Sequence, residues 1–429
     1  MRTVVNPSTD TWNDLCKRPV KNQSELGDQI REILMRVRKD GDKALVQYSR
    51  QFDRAETDDL KITDDEISDS EKLIPDELKK AIAIAGSNIE KFHRSQLTVE
   101  KPVEIMNGVK CWRKSIPIER AGLYIPGGTA PLFSTVLMLA IPARIAGCRE
   151  TILCTPPDSR GRVNPLILYS AGVSGVTSVF RVGGAQAIAA MAYGTETIPK
   201  TDKIFGPGNQ YVTKAKEMVQ LDGIPIDMPA GPSEVLIIAD ATAEPSFVAS
   251  DLIAQAEHGT DSQVVLVSTS TRLIPEVRDE IGRQLIQLPR RAIAEKALEN
   301  SILIFFDTLD KCIAFSNIYA PEHLIITVSD PASATEHIRN AGSVFLGKYS
   351  CESAGDYASG TNHTLPTNGF AKSYSGVSTE SFMKRITFQE VTGEGIKTLG
   401  PVIEKMAEAE MLEGHKNAVT IRLNSLKNG

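Results

Sequence analysis

Gly122-Leu123-Tyr124-Ile125-Pro126-Gly127-Gly128 reads as a short strand running into a glycine loop, and this stretch decides the fold. A helix is expected next over residues 134–145. The alternation then continues, with a strand at Thr151-Ile152-Leu153-Cys154, a helix over 165–171 and a strand over 176–182. Gly183-Gly184 leads into a helix over 185–193. Lys203-Ile204-Phe205 reads as another strand, and Gly206-Pro207-Gly208-Asn209 opens a helix over 211–219. Strands alternating with helices imply right-handed βαβ units and a parallel sheet. Three glycine-rich loops fall at the carboxyl ends of those strands. Open α/β sheets bind ligands there, with phosphates at helix N-termini. No Gly-x-Gly-x-x-Gly occurs, so the usual dinucleotide fingerprint is absent, and the glycines can equally be tight-turn devices.

Outward from this block, Asp227-Met228-Pro229-Ala230-Gly231-Pro232-Ser233 is a turn-rich crossing without periodicity. A second α/β alternation follows. Strands are expected over 264–267, 302–306 and 324–328 and at Val344-Phe345-Leu346, and helices over 275–288, 309–317 and 332–340. Residues 1 to about 110 read as helical and charged, with apolar positions at helical spacing around 28–34 and 76–93. From 382 to 429 the chain reads as helical again, with an apolar stripe through 401–412.

A chain of 429 residues is too long for a single core, so two or more domains are expected. The net charge of -6 argues against a nucleic-acid surface, which needs a basic stripe. No apolar run is long enough to span a bilayer, and Met1-Arg2-Thr3-Val4-Val5-Asn6 lacks the apolar core of a signal peptide. The six cysteines lack Cys-x-x-Cys spacing and read as reduced thiols, which suits a cytoplasmic protein.

The polar candidates gather around six histidines. Gln255 and His258 lie three apart at the end of an expected helix, so they share one face. Such a pair can ligate a divalent metal such as zinc, or His258 can be a helix cap or a solvated side chain. Glu322-His323 precedes a buried-looking strand and offers two adjacent titratable groups suited to acid/base work. His363 lies in the loop Gly355-Asp356-Tyr357-Ala358-Ser359-Gly360-Thr361-Asn362-His363, and His415 follows Glu413-Gly414. His93 and His337 read as surface residues. Gln255, His258, Asp356 and His415 together make a mixed nitrogen and oxygen set acceptable to zinc or manganese, although spacing alone also allows four separate structural residues.

At this point the motifs match a family. The glycine loops at 122–128 and 206–209, Asp227 through Glu234, Gln255-Ala256-Glu257-His258, Pro321-Glu322-His323-Leu324, Ser353 through His363 and His415-Lys416-Asn417-Ala418 resemble histidinol dehydrogenase. The resemblance runs from about residue 25 to the end. It implies two incomplete Rossmann-like parallel-sheet α/β domains with small helical N- and C-terminal additions. The implied division is a helical extension over 1–24, a first domain from 25–122 with 233–378, a second, NAD-side domain over 123–232, and a C-terminal segment over 379–429. It implies a homodimer in which that segment reaches the partner, so that Glu410 and His415 serve the partner's site.

The resemblance further implies oxidation of L-histidinol to L-histidinal and then to L-histidine with two NAD, the last two steps of histidine biosynthesis. It implies zinc, replaceable by manganese, on Gln255, His258, Asp356 and His415. Substrate contacts fall to Ser233, Gln255, His258, His323, Asp356, His363, Glu410 and His415, and NAD contacts to Tyr124, Gln186 and Asn209. His323 would take a proton in both oxidations, and Glu322 would activate water in the second. Two other readings use the same residues. A zinc hydrolase would employ Glu322 as base, and a metal-stabilised binding protein would have no chemistry. The three glycine loops argue against the first, and a ligand set with Gln and Asp but no Cys argues against the second.

Overall fold

A computed structural model describes residues 1–19, 24–56, 58–127, 131–229 and 231–427, and it divides into two compact units. Gly128 and Ala230 of the motifs above lie outside the described residues. The first unit comprises Met1–Gln96 and Ile118–Phe382, and the second Leu97–Pro117 and Met383–Gly429.

The first unit holds two parallel sheets. The larger has six strands in the order Arg2–Val5, Ile302–Phe305, Gln263–Ser268, Glu234–Ala239, His323–Thr327, Ser343–Leu346. Its three central strands are buried at every position, as Val/Ile/Leu runs must be when helices cover both faces. Alternate residues feed two cores. Val235, Ile237, Val264 and Leu266 join Leu252 and Val277 on one face. Leu236, Ile238, Val265 and Val267 join Phe306, Phe315 and Tyr319 on the other.

The smaller sheet runs Ser178–Phe180, Glu150–Cys154, Arg120–Tyr124, Lys203–Phe205. The chain moves outward from Arg120–Tyr124 and then returns to its other side, so the switch of direction falls between Arg120–Tyr124 and Lys203–Phe205. The loops after those two strands are two of the three glycine loops. Gly206 has φ 120°, and a Cβ there would lie 2.1 Å from the Tyr124 carbonyl oxygen, so only glycine fits. Below it, Lys216 donates to the Gly206 carbonyl at 2.8 Å and pairs with buried Asp227 at 2.5 Å. Asp227 in turn accepts from the Gly206 N–H at 2.8 Å.

The second unit is an antiparallel sheet in the order Met383–Val391, Val109–Pro117, Val103–Met106, with the helices Gly393–Ala409 and Glu413–Ser425.

Several sequence expectations are corrected. The N-terminal extension is not simply helical: Arg2–Val5 adds a parallel edge strand opposite Ile302–Phe305. Its β-branched run favours that state. Trp12 then packs edge-on against Phe306 and Phe315. Residues 97–117 belong with the C-terminal segment rather than with the first α/β domain, and neither stretch is all helical. Val109–Pro117 pairs along its length with Met383–Val391, a partner so distant in sequence that local periodicity cannot reveal it. The helix expected over 332–340 stops at Thr335, because the Asn317 side chain takes the N–H groups of Arg339 and Asn340. His337 is exposed but follows that helix instead of lying within it. His93 is fully buried, not solvated, with Nδ1 bonded to the Ile89 carbonyl at 2.9 Å.

Lys216→Met would leave Asp227 charged, buried and unpaired. It should cost about 3–5 kcal/mol of stability, measured by urea unfolding, and a change within about 0.5 kcal/mol, the scale of an ordinary surface substitution, would show that the pair does not hold the loop.

Candidate active site

Strands Glu234–Ala239 and His323–Thr327 are neighbours, with His323 opposite Val235. That register brings Glu322 and His323 beside Glu234 at the amino ends of the two strands. Helices that follow parallel strands run back against them, so their C-termini return to the same edge. Helix Pro245–Ala256 does this and delivers Gln255 and His258. Ahead of the dyad, Ala320 is held in the left-handed region at φ 54°, a strained backbone that turns the chain from helix Leu309–Tyr319 into Glu322-His323.

Hydrogen bonds fix the dyad. The Glu234 N–H donates to Glu322 Oε2 at 2.8 Å, and His323 Nδ1 lies 3.3 Å from the Glu234 carbonyl. An Nδ1–H tautomer donates to that carbonyl and leaves Nε2 as the basic nitrogen. Nε2 faces Asp356 Oδ1 at 3.5 Å, while Nδ1 is 3.7 Å from Glu322 Oε2 and 4.0 Å from Glu352 Oε1.

Glu352 is a site residue that sequence reasoning misses. Glu352–Tyr357 is a helix that takes in the first three residues of the loop expected over 355–363, and it sets Glu352 and Asp356 four apart on one face. That acidic spacing is the available signal. His258, Glu352 and Asp356 each bring a ligand atom to within 4.8 Å of the others. One imidazole and two carboxylates fit a divalent cation such as zinc or manganese. Gln255 is buried. With its amide oriented so that donors meet acceptors, its nitrogen donates to both Glu352 oxygens, 3.1 Å to Oε2, and its oxygen accepts from the Glu234 N–H at 2.8 Å. His363 donates from Nδ1 to the Asp356 carbonyl at 2.8 Å and accepts at Nε2 from the Thr135 hydroxyl at 3.0 Å. Ser233 immediately precedes Glu234 and is half-buried. Glu410 and His415 lie in the second unit, the former capping helix Gly393–Ala409 and the latter in the first turn of Glu413–Ser425, and both are exposed.

Crowded acids shift the titrations. Burial pushes Glu322 up to about 8, against the pull of His323 and the Glu234 N–H. For His323, burial lowers the pKa, but the carboxylates of Glu352, Glu322 and Asp356 outweigh it and raise the imidazole to about 10. Burial drives Glu352 well above the carboxylate range. Burial also works to raise Asp356, but His323, His363 and His258 hold it low. His258 opens to solvent on one side, yet the protein around its ring disfavours the cation and lowers its pKa against the opposing charge of Asp356.

The smaller sheet carries a separate feature, a cavity of about 1520 Å³ lined by Tyr124, Gly127, Gly184, Gln186 and Asn209. The Tyr124 hydroxyl accepts from the Gly184 N–H at 3.0 Å, and Asn209 caps helix Gln210–Leu221. Gln186 is buried, and its Nε2 has no partner among the described residues. The three sequence-predicted NAD contacts therefore share one cavity.

With this geometry in place, the comparisons decide the family. The family model for histidinol dehydrogenase matches residues 16–423. This chain belongs to the histidinol dehydrogenase family. It is 58% identical over 427 residues to the histidinol dehydrogenase of Bacteroides thetaiotaomicron, covering 100% of both chains. It is 52% identical over 423 residues to that of Pectobacterium atrosepticum, covering 98% of this chain and 95% of the other. A crystal structure of histidinol dehydrogenase from Elizabethkingia anophelis superposes with a TM-score of 0.97 at 56% identity, covering 100% of this chain and 99% of that one. As a member of the histidinol dehydrogenases the chain is an NAD-linked oxidoreductase of histidine biosynthesis, which sets aside the hydrolase and the binding-protein readings.

Removing the Glu352 charge should release part of the hold on the His323 proton. In metal-free protein, Glu352→Gln should lower the His323 pKa by about one unit or more, followed by ¹⁵N NMR of the imidazole across pH. An unmoved titration would mean that Glu322 and Asp356 alone hold the proton.

Proposed function

We propose that this chain oxidises L-histidinol to L-histidinal and L-histidinal to L-histidine at the Glu322–His323 dyad, with zinc or manganese bound beside it and NAD in the cavity of the smaller sheet. The observation that supports this best is the placement of a buried Glu–His pair 3.5 Å from Asp356, which itself gathers with His258 as a cation-competent group. A hydrolase needs the first half of this arrangement but not a second, nucleotide-sized cavity.

When bound, the metal orients the amine and ring nitrogen of the amino alcohol, and NAD accepts the electrons of each oxidation. The protein's own part is proton handling. His323 Nε2, left free by the Nδ1 contact to Glu234, takes the hydroxyl proton in the first oxidation. In the second, Glu322 takes a proton from the attacking water, using the oxygen not engaged by the Glu234 N–H, and His323 accepts another. The carboxylates that raise His323 are the groups a divalent cation neutralises, so a loaded site suits His323 as base. Gln255, His258, Asp356 and, from a second chain, His415 are the proposed ligands. Ser233, His363 and Glu410 complete the substrate contacts, and Tyr124, Gln186 and Asn209 hold NAD.

The same proposal makes the protein a homodimer with shared sites. Met406 and Ile421 on the second unit's helices and Met411 in the turn between them are 62%, 60% and 87% exposed, an apolar surface that a partner would cover. It also places the protein in the cytoplasm, where its six free cysteines stay reduced. No helix among the described residues is long and apolar enough to cross a membrane.

Glu322→Gln tests the division of labour. Losing a general base costs roughly 10²–10⁴-fold, so aldehyde oxidation should fall by that factor while alcohol oxidation stays close to wild type. His323→Asn should depress both. Equal losses for Glu322→Gln on the two substrates would contradict the role in activating water.

A mixed dimer tests the shared site. His258→Asn and His415→Asn, each inactive as a homodimer, should together regain up to about half the wild-type activity, because two-fold symmetry leaves one site intact. A verified but inactive mixed dimer would place His415 in its own chain's site.

A further inference from the structure

The NAD cavity contains a carboxylate that the proposed function leaves unused. Asp53 closes the short π-helical turn Ser49–Asp53, after which Arg54 adopts a left-handed φ of 56°. Inserted π turns of this kind are frequent at functional sites. Asp53 lines the cavity with Tyr124 and Gln186. It makes no hydrogen bond or ion pair among the described residues, and its Oδ2 is buried. Burial with nothing to offset it raises Asp53 to about 6, and its charge contributes to holding the Tyr124 phenol high.

Of the other charged groups lining the cavity, Glu32 is exposed to solvent and the rest are already engaged. Arg181 holds Glu66, Lys72 holds Asp69, and Arg162 holds Asp158. Arg36 is turned to Gln47 and Asp40. Asp53 thus stands apart as an acceptor without a donor. An ionised carboxylate accepts hydrogen bonds and donates none, so its complement in a ligand is a hydroxyl or amine donor. A buried unpaired carboxylate is costly and persists where a ligand or a function offsets it. A dinucleotide brings ribose hydroxyls. Its 2′-phosphorylated form replaces one of them with a dianion that a carboxylate repels.

We propose that Asp53 receives a ribose hydroxyl of the dinucleotide and selects the unphosphorylated cofactor over the 2′-phosphorylated one. In dinucleotide folds that carry the usual fingerprint, an acidic residue about 20 residues past the glycine loop serves the same end. Here the residue comes from outside the smaller sheet, on the N-terminal helical region, which explains why no spacing from the glycine loops reveals it. The role rests on NAD occupying this cavity.

The test uses the full-length protein. Dissociation constants for NAD and NADP are measured by titration calorimetry on wild type and Asp53→Asn, together with hydrogen exchange with and without NAD. In wild type, NAD should protect residues 49–53 and 184–193. Asp53→Asn should weaken NAD about tenfold, the scale of one lost hydrogen bond to a charged group, and leave NADP unchanged or tighter. Its melting temperature without ligand should be equal or higher, since an unpaired carboxylate has been removed. Unchanged NAD affinity, or an equal loss for both dinucleotides, overturns the role of Asp53 while protection of 184–193 still upholds the cavity. Protection confined to other segments would overturn the cavity reading and this role with it.

Discussion

Glu234 is the residue on which the site depends. Its side chain is clamped by Arg18 through two hydrogen bonds of 3.0 and 2.9 Å and accepts from the Asn368 N–H at 2.6 Å. Its backbone does the positioning, the N–H holding Glu322 and the carbonyl meeting His323 Nδ1. Arg18 also stacks over Tyr319, whose hydroxyl bonds Gln263 in the next strand. Sheet register, a buried ion pair and the two side chains of the proposed dyad are therefore one mechanical unit. A bidentate arginine–carboxylate pair suits this task because it fixes direction as well as distance. The N-terminal residues serve the chemistry by supplying Arg18, although they lie far from the site in sequence.

The electrostatics show why such anchoring is needed. Glu322, Glu352 and Asp356 crowd around His323 in a buried setting, and burial alone would neutralise them. Burial prevails at Glu322 and Glu352, which hold protons that an arriving cation can displace, while His323, His363 and His258 keep Asp356 low. Opposed shifts within one cluster are typical of acid/base sites. The same cluster is unfavourable for stability without its cation, so metal binding should couple to folding stability.

Much of this architecture is legible in the amino-acid sequence. The strand–loop–helix alternation from Gly122 to Val219 predicts the smaller parallel sheet, and Tyr124, Gln186 and Asn209 do line one cavity. Glu322-His323 is found as a buried pair, and Gln255, His258 and Asp356 come together around it. The features that escape are those that local pattern cannot carry. Val109–Pro117 pairs with Met383–Val391, a strand that lies beyond all of residues 118–382 in sequence. Arg2–Val5 is too short for periodicity to type it. Glu352 hides in a helix of six residues, and its four-residue spacing from Asp356 is the one local sign of it. Asp53 and Glu234 are ordinary acids until the fold shows what each one faces.

The central claim is that a divalent cation binds beside the Glu322–His323 dyad. Anomalous diffraction at the zinc edge, on crystals grown with zinc, tests it most directly. The account predicts a peak at bonding distance, about 2.0–2.2 Å, from both His258 and Asp356. A fully occupied zinc bound without either of those residues would contradict it.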